Sequence, residues 1–283
     1  MATIGIDIAS VDGNRTPDWS AARQQGHLRF VGLRAMEGLT PDSWYGTYVN
    51  QLDAIGIPHF PYLLLKPNLD TPEGQTNAAL DRVGVINNHY FPLALDVEGD
   101  RHGLTAEQWL DWVTRAKRVV QKRLGVPPLL YTSRTYWVDP AGMNDLPAPE
   151  LADCTGWWKY WPYAVHSNAV YDPIVVDQLH APPTPPPWGD SWLIQQYMGD
   201  AINYPGFRST TDMDRLHVQK QGDKNDSVKW IQRRLPDLVV DGDFGTKTAD
   251  AVKAFQASRK LTADGIVGLD TTQLLAWVPP RAA

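Results

Sequence analysis

The 283-residue chain has almost no cysteine and no long apolar segment. Its one cysteine, Cys154, cannot form an intramolecular disulfide, so the fold requires no oxidising compartment. No apolar run approaches the roughly 18 residues that cross a membrane, and the opening MATIGIDIAS lacks the basic and apolar regions of a secretion signal. We therefore expect a protein that is made in the cytoplasm without a signal peptide and that has no membrane partner.

The chain also lacks a dense run of basic residues. Its formal net charge is −6, with 16 Lys and Arg against 24 Asp and Glu up to Val218, and 10 against 8 from Gln219 onwards. We expect no nucleic-acid partner, because proteins of that class present a basic stripe to the phosphates. A mildly basic tail on an acidic body suits an anionic polymer such as a bacterial wall.

Several catalytic motifs are absent from the sequence. It contains no G-x-S-x-G elbow, no H-E-x-x-H or paired His/Cys spacing, and no phosphate-cradling glycine loop. These absences argue against a serine hydrolase, a zinc amidase and a nucleotide-dependent enzyme. Cys154 lies in no nucleophile motif and fits a small buried residue.

Aromatic residues are abundant, with 12 Trp and 11 Tyr. Flat rings of this kind line sugar-binding grooves, where they stack on pyranose faces, and they equally fill large cores. Composition alone leaves both roles open.

Short apolar runs alternate with amphipathic stretches through the first half of the chain. We predict strands at residues 3–9, 29–35, 57–65, 91–97 and 128–132, and helices at residues 19–25, 43–55, 71–88 and 106–125. The last helix is the clearest, because apolar residues recur at helical spacing and Gly125 supplies a stop. Repeated strand–helix units of this length indicate parallel strands that close into a barrel.

The pattern changes after Tyr131. The segments GWWKYW, SWLIQQY and TTDMDRLHV predict strands, but no comparably clear helices separate them. A proline-rich loop that ends APPTPPPWGD lies between the first two. The predicted fold class is therefore α/β: an irregular TIM-like barrel of five β/α units plus three β-strands, followed by a small all-α three-helix domain.

Residues 219–226 are polar and turn-prone, which predicts a linker between a barrel of residues 1–218 and a domain of residues 227–283. In that domain, VDGDFGTKTADAV and ADGIVGLDTTQLL form an internal repeat. Each D-G-x-x-G-x-x-T unit predicts a tight turn that enters a helix, so its residues are architectural. We expect a separately folding module, and a module that braces the barrel is the alternative.

The stretch LALDVEGD, residues 93–100, runs from apolar positions into two carboxylates. Burying an unpaired carboxylate is costly, which makes this placement informative. In a strand, Asp96 and Glu98 point to the same face, and at the carboxyl ends of a parallel barrel that face is the site. Paired carboxylates can hold one group protonated beside an ionised partner, as glycosidic cleavage requires.

Other predicted strands also end in acids, which weakens the alternative that Asp96 and Glu98 only mark a solvated strand end. Asp7 lies at the end of TIGIDIA, Glu37 follows FVGLRAM, and Asp212 lies near the proposed last strand. Acids gathered from several strand ends suit a cationic transition state better than they suit stability.

These segments resemble the strand signatures of glycoside hydrolase family 25, the lysozyme-like muramidases. The similar segments are, in chain order, GIDIAS, RAMEG, LALDVEG, LLYTS, QQY and DMD. The C-terminal part, with GDKNDSVKWIQRRL and the two repeat units, resembles the three-helix peptidoglycan-binding module that is often fused to wall hydrolases. Together they resemble a bacteriophage endolysin.

The resemblance implies cleavage of the β-1,4 bond between N-acetylmuramic acid and N-acetylglucosamine in bacterial peptidoglycan, with no metal and no cofactor. It places Glu98 at the acid/base position, Asp96 at the adjacent carboxylate, and Asp7 and Asp212 as flanking acids. The predicted substrate-binding residues are Glu37, Tyr62, Tyr131, Trp158 and Tyr197. We expect a monomer that acts on the cell wall after its release from the host cytoplasm.

The sequence departs from the family pattern in three places. The usual Trp-Gln-Tyr is Gln195-Gln196-Tyr197, which removes one ring, and the frequent Tyr-His after strand three is Tyr62-Leu63. The KATEG pattern becomes RAMEG. These departures concern substrate contacts rather than the reaction.

Three other functions fit the sequence less well than a peptidoglycan hydrolase. A chitinase-like enzyme of family 18 requires a further acid where this chain has Ala94. A wall-binding protein with an inactive barrel is disfavoured by the four intact acids, and a host-secreted muramidase by the missing signal segment. The sequence leaves open whether an enzyme carboxylate or the substrate's 2-acetamido group attacks the anomeric carbon.

Overall fold

Strands and helices alternate through most of the chain, and helices dominate its C-terminal region. In the computed structural model, which describes residues 1–84, 91–185 and 188–281, the strands are β1 (Thr3–Ile8), β2 (Leu28–Glu37), β3 (Thr40–Pro41), β4 (His59–Leu64), β5 (Ala94–Asp96), β6 (Leu129–Thr132), β7 (Thr155–Lys159), β8 (Ile194–Ala201) and β9 (Thr211–Leu216). The α-helices of the same residues are α1 (Trp19–Gln24), α2 (Tyr45–Ile55), α3 (Pro72–Val83), α4 (Ala106–Leu124), α5 (Arg134–Val138), α6 (Pro173–Asp177), α7 (Asp226–Gln232), α8 (Thr246–Ser258) and α9 (Leu269–Ala276).

The strands close into a barrel because β1 pairs with both β2 and β9. Around the barrel the order is β1, β2, β4, β5, β6, β7, β8 and β9, and β3 extends the sheet beside β2. The predicted irregular barrel is confirmed, since helices α1 to α5 follow its first five strands. The expectation of parallel strands is wrong for β9, which is antiparallel to both neighbours. Its connection from β8, residues 202–210, is too short for the crossover that a parallel strand needs.

Local sequence signals fix the ends of the two longest helices of the barrel. The Thr71 hydroxyl accepts a hydrogen bond from the backbone N–H of Gly74 at the start of α3. Thr105 and Gln108 form a capping box at the start of α4. Gly125 ends α4 with a φ of 76°, which confirms the predicted stop.

Two predicted elements are shorter than expected. The helix predicted over residues 71–88 ends at Val83, and its predicted residues 85–88 lie outside the described residues. The strand predicted over residues 91–97 is limited to β5, so Glu98 follows the strand instead of lying within it.

The barrel interior is filled by aromatic rings in its middle layer. Trp157 makes edge contacts with Phe60, Tyr62 and Tyr131, with ring centroids 5.3, 5.9 and 4.6 Å apart. Gly5 on β1 faces this layer, where an added Cβ would lie 2.3 Å from the Phe30 ring. Only glycine fits there.

The C-terminal helices pack against the end of the barrel where the parallel strands begin. One buried apolar cluster runs from interior residues such as Ile194 and Leu216 into Val228 and Trp230 of α7. Trp230 Nε1 donates to Thr155 Oγ1, at the start of β7, over 2.9 Å. The C-terminal helices therefore share a buried interface with the barrel, and the separate folding of this module stays a prediction.

The predicted linker and repeat also take part in this packing. Within residues 219–226, Gln219 exchanges backbone hydrogen bonds with Val267. In the repeat, the Gln232 amide bonds Asp241 and the backbone of Gly242, and Gln256 bonds the equivalent Asp264 and Gly265. The repeated residues thus close turns, as an architectural role requires. The domain boundaries stay predictions.

Within the described residues, none of the helices combines the length and the apolarity needed to traverse a lipid bilayer.

Candidate active site

Carboxylates from three strands meet at the end of the barrel where the parallel strands terminate. Asp7 lies near the end of β1, and Asp96 is the last residue of β5. The reversed direction of β9 brings its first residues to the same end, where Asp212 lies opposite Asp7 in the sheet register. Asp214 is two residues further along β9 and is completely buried. The structure therefore brings together the acids predicted on separate strands.

Asp96 and Glu98 form the second part of this site. Asp96 is only 6% exposed, and its Oδ1 has no hydrogen-bond partner among the described residues. Burial, followed by the nearby charge of Glu98, raises the pKa of Asp96 well above its usual range. Glu98 lies just beyond the strand, and its side chain is about one-third exposed. A buried carboxyl thus lies beside one that substrate can reach.

Lys159, at the end of β7, binds Glu98 across the mouth of the barrel. Its Nζ donates to Glu98 Oε2 over 2.6 Å and lies 5.0 Å from the centre of the Trp161 ring. Burial opposes its charge, but Glu98 and Asp96 outweigh this effect and raise the pKa of Lys159. The same ammonium lowers the pKa of Asp96 in part. Lys159 therefore acts electrostatically on both carboxyl groups.

Gln196 on β8 connects the remaining acids to the aromatic residues of the site. Its Nε2 donates to Asp7 Oδ2 over 2.8 Å and to Asp212 Oδ2 over 3.2 Å. Its Oε1 accepts from the Tyr131 hydroxyl over 2.8 Å and from Trp161 Nε1 over 2.9 Å. Both N–H groups of the Gln196 amide donate and its oxygen accepts two hydrogen bonds, which fixes the orientation of the side chain.

Burial raises the pKa values of Asp7, Asp212 and Asp214 well above the usual aspartate range. Asp214 repels Asp7, and Asp7 repels Asp212, which raises these pKa values further. Two hydrogen bonds act in the opposite direction, from Gln196 to Asp7 and from Trp157 Nε1 to Asp214 over 2.8 Å. These carboxyl groups therefore keep protons to higher pH than exposed aspartates do.

The rim of the site carries Glu37 at the end of β2. Its carboxylate pairs with Arg34 and with Lys66, each over 3.2 Å. Arg34 also pairs with Asp42 over 3.4 Å. Glu37 thus belongs to a charged network at the edge of the mouth, apart from the buried acids.

Tyr62 and Tyr131 lie inside the barrel, where they were predicted, but Trp158 and Tyr197 do not. The Trp158 ring is buried outside the barrel, and its Nε1 donates to the Ser191 carbonyl over 2.8 Å. The Tyr197 hydroxyl donates to a backbone carbonyl outside the barrel over 2.7 Å. Successive side chains of a strand point to opposite faces, so Trp157 and Gln196 point into the barrel and their neighbours Trp158 and Tyr197 point out of it. The prediction that Trp158 and Tyr197 contact substrate is therefore corrected.

Sequence reasoning missed four residues of the site: Lys159, Trp161, Gln196 and Asp214. In GWWKYW, Lys159 and Trp161 lie two and four residues after the inward Trp157. In QQY, Gln196 precedes the predicted Tyr197, and in DMD, Asp214 lies two residues after the predicted Asp212. Strict alternation along these strands would have pointed to them. Among the described residues, no group of three or more His, Cys, Asp or Glu side chains is arranged to hold a metal ion.

Comparisons with known proteins agree with this architecture. The profile of Glycosyl hydrolases family 25 matches residues 6–200, and that of a peptidoglycan binding domain matches residues 224–275. No curated protein matches the chain in sequence.

Solved structures similar to the barrel include a family GH25 lysozyme from Aspergillus fumigatus, with 20% identity and a TM-score of 0.60 over 77% of this chain and 94% of that one. A bacterial lysozyme from Streptomyces coelicolor has 18% identity and a TM-score of 0.58 over 77% and 93% of the two chains. A family 25 glycosyl hydrolase from Bacillus anthracis has 18% identity and a TM-score of 0.56 over 76% and 88%. At these identities the similarity establishes the fold.

Proposed function

Because the chain belongs to Glycosyl hydrolases family 25 and carries a peptidoglycan binding domain, we propose that it cleaves one specific bond of its peptidoglycan substrate. That bond is the β-1,4 linkage between N-acetylmuramic acid and N-acetylglucosamine. The observation that carries the proposal is the convergence of Asp7, Asp96, Glu98 and Asp212 on one mouth of the barrel. A glycosidic oxygen needs a proton donor there, and the cationic sugar that develops needs nearby negative charge.

Glu98 is the proton donor in this proposal. It is the more accessible of the two neighbouring carboxyl groups, and it follows the strand end instead of being buried in it. Entry of the glycan has to separate Glu98 from Lys159, because the two side chains lie 2.6 Å apart in the free protein. Loss of that contact leaves the Glu98 carboxyl free to face the glycosidic oxygen.

Asp96 acts on the substrate's 2-acetamido group instead of attacking the sugar itself. Its burial keeps it largely away from solvent, and the small part of the residue that stays exposed can accept a hydrogen bond from the acetamide N–H. Such a bond orients the acetamide oxygen toward the anomeric carbon. A glycosyl ester trapped on Asp96 and detected by peptide mass spectrometry would contradict this role.

Asp7 and Asp212 support the site through Gln196, which bonds both. The partly exposed Trp161 ring and the Tyr131 ring form the apolar wall on which a sugar ring can lie. Tyr62 contributes the same kind of surface deeper in the barrel, and Glu37 a polar contact at the rim.

The biological role we propose is that of a phage endolysin, active as a monomer on the host wall. The paired hydrolase and wall-binding regions support it. The protein is made in the host cytoplasm and reaches the wall after a separate pore-forming protein releases it. This role is tested by expressing the protein inside host cells with and without a pore-forming protein, and by adding it to host cells from outside. Lysis is measured in each case.

Exchange of Glu98 for Gln tests the assignment of the acid. Glu98→Gln keeps the shape of the side chain but removes its proton, and turnover on purified wall should fall by about 10²–10⁴-fold. Glu150→Gln is the matched control, because Glu150 forms a comparably short ion pair with Arg118 on the surface. If Glu98→Gln kept more than roughly a third of wild-type turnover, the loss would be far smaller than removal of a general acid causes. That result would refute the assignment of Glu98 as the acid.

A further inference from the structure

A cavity of about 230 Å³ lies between the barrel and the C-terminal helices. Its barrel wall includes Asp153 just before β7 and Trp188 before β8, and its other wall includes Trp230, Arg233 and Arg234. The segments before these strands lie at the end of the barrel opposite the carboxylate site. The cavity is therefore separate from the site of hydrolysis.

Arg234 is the unusual residue of this cavity. It is 4% exposed, and its guanidinium lies 4.1 Å from the centre of the Trp230 ring. Its Nη1 donates to the Trp230 carbonyl over 3.1 Å, but Nε and Nη2 have no hydrogen-bond partner among the described residues. Burial lowers the pKa of Arg234 because the cation has left water without gaining a bonded carboxylate.

The other charges of the cavity do not supply that carboxylate. Asp153 pairs with Lys117 over 3.2 Å, and Asp226 pairs with Lys229 over 2.6 Å. Arg233 forms no ion pair within the described part of the chain, and its Nε is also without a partner there. Two guanidinium groups thus lie at the wall of the cavity, and each has buried N–H groups that no described residue bonds.

We propose that this cavity binds the free carboxylate of a peptide, namely the end of an uncross-linked peptide stem of peptidoglycan. A guanidinium presents parallel N–H groups that match the two oxygens of a carboxylate. The Trp188 and Trp230 rings supply apolar walls for small side chains beside it. The volume of about 230 Å³ is far more than a single water needs and suits a group of dipeptide size.

The choice of peptidoglycan as the source of the peptide rests on the proposed function. Because the cavity includes residues of both the barrel and α7, a bound stem also holds the two regions together. Its position opposite the mouth lets one glycan strand be cut while a neighbouring stem is held. Binding at the cavity and hydrolysis at Glu98 are therefore separable measurements.

Titration calorimetry of the full-length chain with D-alanyl-D-alanine tests the proposal. The dipeptide should bind, and its C-terminal amide, acetate and inorganic phosphate should each bind at least tenfold more weakly. Arg234→Met should weaken dipeptide binding at least tenfold without lowering the melting temperature, since it replaces an unpaired buried cation by an apolar chain of similar length. Arg259→Met is the matched control, because Arg259 lies over the Phe255 ring of α8, outside this cavity.

Arg233→Gln is a second variant that keeps the test decisive if Arg234→Met fails to fold, and it should also weaken dipeptide binding. Absence of dipeptide binding by the wild-type chain, or equal binding by the amide, overturns the proposal. Acetate or phosphate binding as tightly as the dipeptide overturns the assignment to a peptide. Reducing-end release by the Arg234 and Arg233 variants on short soluble glycans should stay at the wild-type rate, so failure of this inference leaves the hydrolase proposal intact.

Discussion

Replacement of Gln196 by Leu should disable the site without changing the side-chain volume greatly. The substitution removes four hydrogen bonds, to Asp7, Asp212, Tyr131 and Trp161. At a net value of about 1 kcal/mol for each bond, the free energy of unfolding should fall by about 4 kcal/mol. Loss of the bond from Gln196 also raises the pKa of Asp7 further, because that bond now lowers it.

The same substitution should reduce turnover by about 10²-fold, since a shift of roughly 1 Å in positioned groups costs that much. Gln195→Leu is the control, because Gln195 is equally buried on the same strand but faces outward. It bonds Arg215 and the Tyr160 carbonyl, so its loss costs about 2–4 kcal/mol of stability. The two variants should thus have comparable stability and very different activity.

Denaturant unfolding and reducing-end release, measured on both variants below their unfolding transitions, provide the comparison. If Gln196→Leu keeps wild-type turnover, the hydrogen bonds of Gln196 do not organise the site. If Gln195→Leu loses as much activity as Gln196→Leu, the effect is one of general destabilisation, and the reasoning also fails.

Three further predictions concern charge and packing. Lys159→Met removes a charge that lowers the pKa of Asp96, so the pH–rate profile should move to higher pH, and an unchanged profile would contradict this. The pKa of Asp214 is raised in the folded state, so its contribution to stability is complete below about pH 4 and is lost as the pH rises through the folded value. Asp214→Asn should therefore lose less stability than wild type between acidic and neutral pH, as measured by thermal unfolding at each pH. Removal of residues 219–283 should lower the melting temperature of the barrel, because it uncovers the surface that packs against Trp230, and an unchanged melting temperature would argue for independent domains.

The barrel and its acids could be predicted because their signals are local. Alternating strands and helices specify the strand order, and an acid after each apolar run marks a strand end, as at Asp7 and Asp96. The face of each strand was harder to assign. Both faces of a barrel strand are buried, so adjacent aromatic residues such as Trp157 and Trp158 show no polar alternation to tell inside from outside.

The interface between the barrel and the C-terminal helices had no signal in the sequence. Val228, Trp230 and Ile231 have the spacing of a small domain's own core, and the same residues also bury the base of the barrel. The contact of Trp230 with Thr155 spans 75 residues of chain, which no local pattern specifies. Alternation along β7 indicates the face of Lys159, but its ion pair with Glu98, 61 residues away, is specified by no local pattern.

The reducing-end sugar of the products is the most direct test of the central claim. Purified peptidoglycan is digested with the full-length protein, and the new reducing ends are reduced with borohydride and identified by mass spectrometry. The proposed cleavage predicts N-acetylmuramic acid at these ends, released about 10²–10⁴-fold more slowly by Glu98→Gln. New ends that carry N-acetylglucosamine would contradict the assigned bond, and undiminished release by Glu98→Gln would contradict the assigned acid.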